Sequence, residues 1–156
     1  MPRWIKPLVF IIISLLLGYF AGTSLKDLWS GRDKPVPVPQ ATPLADEMFI
    51  LDSPLTGGLV TSPLTVRGKA RGRWFFEASF PVFLTNWDGL IIAQHYCQAQ
   101  GEWMTEDFVE FECTLSFDVP AGGVGIPDTG SLILKKDNPS GLPEHDDARE
   151  ITVRFR

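Results

Sequence analysis

The sequence contains few of the residues on which common catalytic sites depend. It has only two histidines, His95 and His145, and only two cysteines, Cys97 and Cys113. It has no Gly-x-Ser-x-Gly motif, no His-Glu-x-x-His motif and no internal repeat. The spacing of its carboxylates does not imply an acid–base pair facing across a cleft. These absences argue against an enzyme, and we expect no catalytic residue, no metal and no cofactor.

Charge is absent from the 19 residues between Lys6 and Lys26. A charge-free apolar run of about 20 residues is long enough to cross a bilayer as a helix. Arg3 and Lys6 precede the run, so the positive-inside rule places the N-terminus in the cytoplasm and the rest of the chain outside. Residues 1–29 are therefore interpreted as a cytoplasmic tip and the single transmembrane anchor of a cell-membrane protein.

A cleaved secretory signal is the alternative interpretation of this segment. A basic start and an apolar core are both present, but a small-x-small cleavage site is poorly formed. Cleavage after Ser24, with Gly22 two positions earlier, is the one tolerable choice. In that case the domain is secreted rather than anchored. There is no cysteine near the segment, which excludes a lipoprotein anchor.

Four prolines dominate the stretch that follows, which we interpret as an extended tether over residues 30–47. Residues 48–156 then form one extracytoplasmic domain with nine Lys or Arg and fifteen Asp or Glu, a net charge near −6. Such an acidic domain argues against nucleic acid as a partner.

Apolar and polar residues alternate through most of the domain, as is typical of antiparallel sheets with one buried face. Seven such segments are separated by turn signals, and they are 48–51, 64–70, 71–85, 90–99, 108–119, 130–136 and 150–155. This pattern over about 100 residues predicts an all-β, immunoglobulin-like antiparallel β-sandwich of about seven strands after the transmembrane helix. A small closed barrel is the alternative architecture.

Three segments are more distinctive than alternation requires, and they are VRGKARGRWFFEASFPV (66–82), AQGEWMTEDFVEFECTLSF (99–117) and LILKKDNPSGLPE (132–144). Together they resemble the immunoglobulin-like domain family associated with bacterial spore germination proteins. The resemblance covers Phe49–Phe155 and excludes the anchor and tether. It implies a β-sandwich on the outer side of a bacterial membrane, and no catalytic residue comes with it.

The two cysteines are expected to form a disulfide, since the domain is exported. If their strands are antiparallel neighbours connected around Thr105, residue numbers that sum to 210 face each other, which pairs Cys97 with Cys113. Both also fall on the inward-facing positions of their strands. Free buried thiols are one alternative. A zinc site that adds His95, on the same face as Cys97, is another, although no fourth ligand is evident.

The loop 135–147 is the most unusual polar stretch of the sequence. It offers oxygen ligands of the kind that Ca²⁺ takes, from Asp137, Asn138, Glu144 and Asp146. The spacing fits no EF-hand, and the prolines and glycine shape turns by themselves. A shaped connecting loop is therefore favoured over a calcium site.

Aromatic and apolar residues at outward or turn positions indicate where a partner could bind. The residues of this possible partner surface are Phe75, Phe83, Trp87, Trp103 and Met104. If they cluster, they form an exposed apolar patch of the kind that marks an interaction site. We expect a non-enzymatic accessory module of the bacterial cell envelope with a protein partner. The alternative is a carbohydrate- or wall-binding module that uses the turn tryptophans.

The anchor interpretation predicts the N-terminus of the mature protein. We expect intact-mass analysis of the protein purified from bacterial membranes to find a chain that begins at or near Met1, because the cleavage site is poorly formed. An N-terminus near Leu25 would instead show a processed signal peptide.

Overall fold

A computed structural model describes residues 41–120 and 128–156, and the predicted anchor (1–29) and the first part of the predicted tether (30–40) lie outside these residues. Within the described part, no helix has the length and apolar character needed to span a bilayer. Nine strands are present there, and they are β1 (Thr42–Ala45), β2 (Phe49–Thr56), β3 (Leu59–Val60), β4 (Leu64–Arg71), β5 (Ser79–Asn86), β6 (Ile91–Ala99), β7 (Phe108–Leu115), β8 (Thr129–Lys135) and β9 (Ala148–Phe155).

The strands are hydrogen-bonded in the order β1-β2-β4-β7-β6-β5-β8-β9-β3. This order folds into two layers, with β1, β2, β4 and β7 in one and β6, β5, β8, β9 and β3 in the other. The β6–β7 ladder joins the layers on one side, and the continuation of β2 into β3 joins them on the other. β2, β4 and β7 occupy the places of immunoglobulin strands A, B and E, and β5, β8 and β9 those of C, F and G.

Aromatic side chains fill the space between the layers. Phe80 of β5 lies 5.9 Å from Phe49 of β2 and 4.9 Å from Phe111 of β7, measured between ring centroids. Trp74 lies 4.9 Å from Phe49, and all four rings are buried. Aromatic pairs with tilted or edge-to-face geometry stabilise a core beyond the burial of their area. The described residues therefore confirm the all-β prediction. The alternating apolar residues of β4 and β7 do face the core.

The segment predicted as one strand over 71–85 is interrupted. A short 3-10 helix occupies Gly72–Trp74, and a tight turn follows in which Phe76 and Ser79 exchange both backbone hydrogen bonds. The two central residues of that turn have positive φ, as tight hairpin turns require. The interruption reverses the outward orientation expected for Phe75, which is buried, and it leaves its neighbour Phe76 exposed.

Strand β1 lies inside the stretch predicted as tether. It pairs antiparallel with β2, with Thr42 opposite Thr56 and Ala45 opposite Ile50. The folded part of the chain therefore begins before residue 48, the boundary expected from the sequence. The prolines led to the prediction of a tether up to residue 47, but Pro43 is compatible with a strand at the edge of a sheet.

One ion-pair network connects the start of β2 to the start of β9. Arg149 donates hydrogen bonds to Asp46 and Asp147, and its guanidinium carbon lies 5.0 Å from the centre of the Trp74 ring. The side-chain oxygen of Asp46 also accepts hydrogen bonds from the backbone N–H groups of Met48 and Phe49. Burial raises the pKa of Asp46, but these hydrogen bonds and the charge of Arg149 together hold it below its ordinary value of 3.8.

The disulfide between Cys97 and Cys113 closes the junction between the layers. In the ladder, Gln98 lies opposite Glu112 and Ala99 opposite Phe111, which is the register expected from the sequence. The Cα atoms of Cys97 and Cys113 are 4.5 Å apart, the separation of a non-hydrogen-bonded antiparallel pair. The disulfide stands where β6 leaves β7, because no residue of β6 before Gln98 pairs with β7.

The Asp46 network predicts a pH-dependent contribution to stability. We expect Asp46→Asn to lower the free energy of unfolding by about 1 kcal/mol at neutral pH, since charge-assisted hydrogen bonds are worth more than neutral ones but partial exposure weakens them. The folded-state pKa is depressed, so this contribution is present above the unfolded pKa and is lost as the pH falls through the folded value. Urea unfolding at several pH values should show the difference between the two proteins shrinking below pH 3.8. Asp88→Asn in the exposed β5–β6 turn is the control. An equal decrease in its free energy of unfolding would contradict the stabilising role assigned to Asp46.

The disulfide predicts that a linked peptide can be isolated and that reduction lowers the stability of the domain. Non-reducing peptide mapping should recover Cys97 joined to Cys113, and reduction should lower the free energy of unfolding by about 3 kcal/mol because it releases a loop of this length in the unfolded chain. Two thiols that are freely alkylated in the native protein would rule the disulfide out.

Candidate partner-binding surfaces

The residues predicted to form a partner surface lie at three separate places. The strands end in two groups of connections, and we call them the loop end (72–78, 100–107 and 136–147) and the hairpin end (57–63 and 87–90). Trp103 and Met104 are at the loop end, and Trp87 is at the hairpin end. The nine residues of β6 separate Trp87 from Trp103, a distance of about 30 Å for an extended strand. The expected single cluster of turn aromatics therefore does not form.

At the loop end, the 102–106 segment folds over the 3-10 helix and leaves a shallow hollow of about 340 Å³. We call it the Trp103 hollow, and its lining residues are Gly72, Arg73, Phe75, Trp103, Met104, Thr105 and Glu106. Phe75 is 4% exposed, so it belongs to the core rather than to a surface, which corrects the prediction for this residue. Trp103 is half-buried against the core, and Met104 is 74% exposed.

Gly72 explains why the 102–106 segment can lie so close. A Cβ atom at this position would stand 2.0 Å from the carbonyl oxygen of Thr105 and 2.3 Å from that of Trp103. Those distances are shorter than any side chain allows, so only glycine permits the contact. In the sequence, only the glycine of the RGRW segment, Gly72, could have indicated this close approach.

Phe83 is in β5 and lies on the outer face of the layer that contains β6, β5, β8, β9 and β3. It is opposite Gln94 of β6 and Ile133 of β8, and Pro81 lies opposite Tyr96. We call Pro81, Phe83, Gln94, Tyr96 and Ile133 the uncharged face. With His95, four of them line a groove of about 160 Å³, and Tyr96 is 54% exposed. Sequence reasoning found Phe83 but missed Tyr96 and Ile133, which become neighbours only through the pairing of β5 with both β6 and β8.

The three strands on and beside which Phe83 lies carry little charge. β6, β5 and β8 together have 24 residues (9, 8 and 7) and one charged side chain, Lys135. β2, β4 and β7 also have 24 residues (8 each) and six charged side chains, which are Asp52, Arg67, Lys69, Arg71, Glu110 and Glu112. β9, on the far side of the first group, adds three more. The uncharged face is thus one side of an otherwise acidic domain.

Exposed apolar residues continue this face towards the hairpin end. Trp87, Leu90 and Ile91 are 51%, 64% and 52% exposed, and they lie in or beside the turn that joins β5 to β6. Contiguous exposed apolar residues on a soluble domain mark an interaction site more often than scattered ones do. The hairpin and the uncharged face are therefore taken together as one candidate surface.

The loop considered for calcium uses its polar groups to hold itself together. The side-chain nitrogen of Asn138 donates to the backbone oxygen of Leu142 and to Asp146, at 2.8 and 2.9 Å, and its oxygen accepts from Ser140. Asp146 also lies 3.8 Å from the Lys135 nitrogen. Asp147 and Glu144 share their hollow with two cations, Arg73 and Lys136. Within residues 41–120 and 128–156, no three acidic, histidine or cysteine side chains are placed to hold a metal.

His95 differs from the expectation that it would lie at the edge of the core beside Cys97. It alternates with Cys97 as expected, and it lies opposite the buried Val82, yet its side chain is exposed. The reason is the departure of β6 from β7: among residues 41–120 and 128–156, no strand of the other layer pairs with β6 at His95. The sulfur atoms of Cys97 and Cys113 are joined to each other, so the zinc set proposed from the sequence lacks its thiolates.

Comparison with known proteins gives one match. The family model described as the immunoglobulin-like domain of bacterial spore germination matches residues 50–127, which is 78 of the 156 residues. Searches of curated proteins and of solved structures found no match. The matched residues run from β2 through β7 and include the 3-10 helix, the disulfide and the Trp103 hollow. The chain therefore belongs to the immunoglobulin-like domain family of bacterial spore germination.

Proposed function

We propose that this protein is a non-enzymatic accessory module of the bacterial cell envelope, which its N-terminal segment holds at the membrane and which binds a protein partner through the uncharged face. The family supports an accessory, non-catalytic domain. The proposed anchor rests on the charge-free run of 19 residues between Lys6 and Lys26.

The observation that carries the choice of surface is the unequal distribution of charge. Strands β5, β6 and β8 have a single charged side chain between them, and the charges of their sheet are otherwise on β9. The other sheet presents charged side chains in all three of its central strands. On the charged sheet, Lys69 and Glu110 form an ion pair at 3.2 Å, as is typical of a solvated surface. Binding the uncharged sheet requires little desolvation of charge, so apolar contact there is favourable.

Phe83 is the central side chain of the proposed surface. It lies between the two flanking strands, with Gln94 on one side and Ile133 on the other. Aromatic residues in the centre of an interface contribute most to binding, since they are fully removed from water there. A protein partner with an apolar, uncharged patch fits this surface better than a polar glycan does.

The alternative of a carbohydrate- or wall-binding module is supported by the Trp103 hollow alone. Trp103 and Met104 offer one aromatic platform at the loop end. Trp87 does not contribute to it, because it lies at the opposite end of β6. A glycan proposal therefore depends on a single tryptophan, and its test is a Trp103 variant rather than a Trp87 variant.

The proposal predicts which substitution removes the partner. Full-length tagged protein is crosslinked in cell envelopes and purified, and the eluate is divided for proteomics and glycan analysis. We expect one stoichiometric envelope protein with the wild type and a loss of about tenfold or more with Phe83→Lys, since one central aromatic can contribute about 2 kcal/mol.

Thr114→Lys is the matched control, because it places the same charge on the outer face of β7. Equal loss with both variants would indicate a general charge effect and contradict the proposed surface. Wall polymer that is recovered without a protein, and lost with Trp103→Ala, would favour the carbohydrate alternative.

A further inference from the structure

The chain enters the described domain at the hairpin end. Strand β1 begins at Thr42, which lies opposite Thr56 at the end of β2, and the 57–63 connection of the hairpin end follows Thr56 directly. From Thr42, β1 runs towards the loop end. Residues 30–40, which connect the predicted anchor to the described part, can span at most about 40 Å when fully extended. The segment that leads to the predicted anchor is therefore joined to the domain at its hairpin end.

Exposed apolar side chains are concentrated at the same end. Ten large apolar side chains are exposed in residues 41–120 and 128–156, and half of them lie in the hairpin end or within two residues of it. These five are Leu55, Leu59, Trp87, Leu90 and Ile91. Tryptophan is enriched where a protein meets the lipid headgroups, and aliphatic side chains beside it add apolar area that lipid can bury. The hairpin end therefore has the composition of a surface that contacts a bilayer.

The turn that carries Trp87 and Leu90 already pairs most of its backbone groups. The side-chain oxygen of Asn86 accepts hydrogen bonds from the N–H groups of Asp88 and Leu90, at 3.0 and 2.9 Å. The N–H of Asn86 donates to the carbonyl oxygen of Leu90, and the N–H of Gly89 donates to that of Asn86. A backbone group without a partner is costly to remove from water. Because these four N–H groups have partners within the turn, its tip can leave water at low cost.

Charge also distinguishes the two ends of the domain. The 11 residues of the hairpin end include one charged side chain, Asp88, whereas the 27 residues of the loop end include ten, of which eight are acidic. The charged side chains that border the hairpin end are two acidic and two basic ones, namely Asp118, Asp128, Arg154 and Arg156. Anionic lipids repel an acidic surface. The hairpin end is therefore the end that can approach a membrane.

We propose that the hairpin end rests on the lipid bilayer that holds the chain, with Trp87, Leu90 and Ile91 inserted among the headgroups. This inference rests on the membrane attachment in the proposed function, and it adds the lipid surface as a second binding partner of the domain. The insertion is shallow, because Asp88 lies between Trp87 and Leu90 and its carboxylate must stay in water. The strands then run away from the bilayer, so the uncharged face stays open to its protein partner.

Quenching by labelled lipids tests this contact in the full-length chain. The protein is reconstituted in phosphatidylcholine vesicles after a fluorophore is attached to one engineered cysteine, and the native cysteines do not react because they are joined to each other. Thr61→Cys labels the hairpin end without removing an apolar side chain, and Met104→Cys labels the exposed loop end. We expect lipids with a nitroxide near the headgroup to quench the label at 61 at least about threefold more strongly than the label at 104, since the length of β6, about 30 Å, separates the two ends.

Flotation of the vesicles in a density gradient distinguishes a failure of this inference from a failure of the proposed anchor. A chain that does not float with the vesicles would contradict the anchor and this inference together. A chain that floats, but whose two labels are quenched equally or not at all, would overturn this inference alone. The protein partner of the uncharged face is absent from these vesicles, so neither result depends on it.

A second variant tests the apolar side chains themselves. Leu90→Glu is added to the chain labelled at position 61, and Met104→Glu is the matched control, because both side chains are exposed, at 64% and 74%. The glutamate at position 90 opposes insertion, so quenching at position 61 should fall to the level found at position 104, while flotation is unchanged. Met104→Glu should leave the quenching at position 61 as it was. Quenching that persists with Leu90→Glu, or that is lost equally with Met104→Glu, would contradict insertion through the hairpin.

Discussion

The contact of Phe80 with Phe49 and Phe111 holds the two layers of this domain together. Phe80 comes from one sheet and the other two rings come from the opposite sheet, and all three are buried. Trp74 joins them from the 3-10 helix, so the aromatic cluster also fixes the loop end. The guanidinium group of Arg149 lies over the Trp74 ring, so the ion-pair network contacts the same cluster.

The candidate functional features of this domain are its surfaces. The sheet that contains β4 and β7 has charged side chains on its outer face, while β5, β6 and β8 of the other sheet have one charged side chain between them, Lys135. The disulfide fixes β6 to β7 at one point, and beyond it β6 is left with an open edge. Strand β6 therefore takes part in the uncharged face, through Gln94 and Tyr96, and also has the exposed edge.

Sequence reasoning identified the strands best where alternation was uninterrupted. In β4 and β7 the inward residues alternate without a break, and Leu64, Val66, Phe111 and Leu115 are buried as expected. The alternation failed between Trp74 and Phe80, because a 3-10 helix and a tight turn change the direction of successive side chains there. The segment predicted over 108–119 is also shorter as a strand, because β7 ends at Leu115.

The candidate surfaces were less accessible to sequence reasoning, for a physical reason. Phe83 was found because its position within one strand determines its face. Tyr96 and Ile133 join it only through long-range pairing, and the exposure of His95 depends on the place where β6 leaves β7. Local patterns determine which side of a strand a residue occupies, but they do not determine what lies across from it.

The one-sided charge distribution has a consequence for how the domain responds to its ionic surroundings. Salt shortens the range over which two acidic domains repel each other. It has little effect on apolar contacts. A rise in ionic strength would therefore strengthen the proposed association through the uncharged side of this domain, whereas it weakens the many protein complexes that depend on attraction between opposite charges.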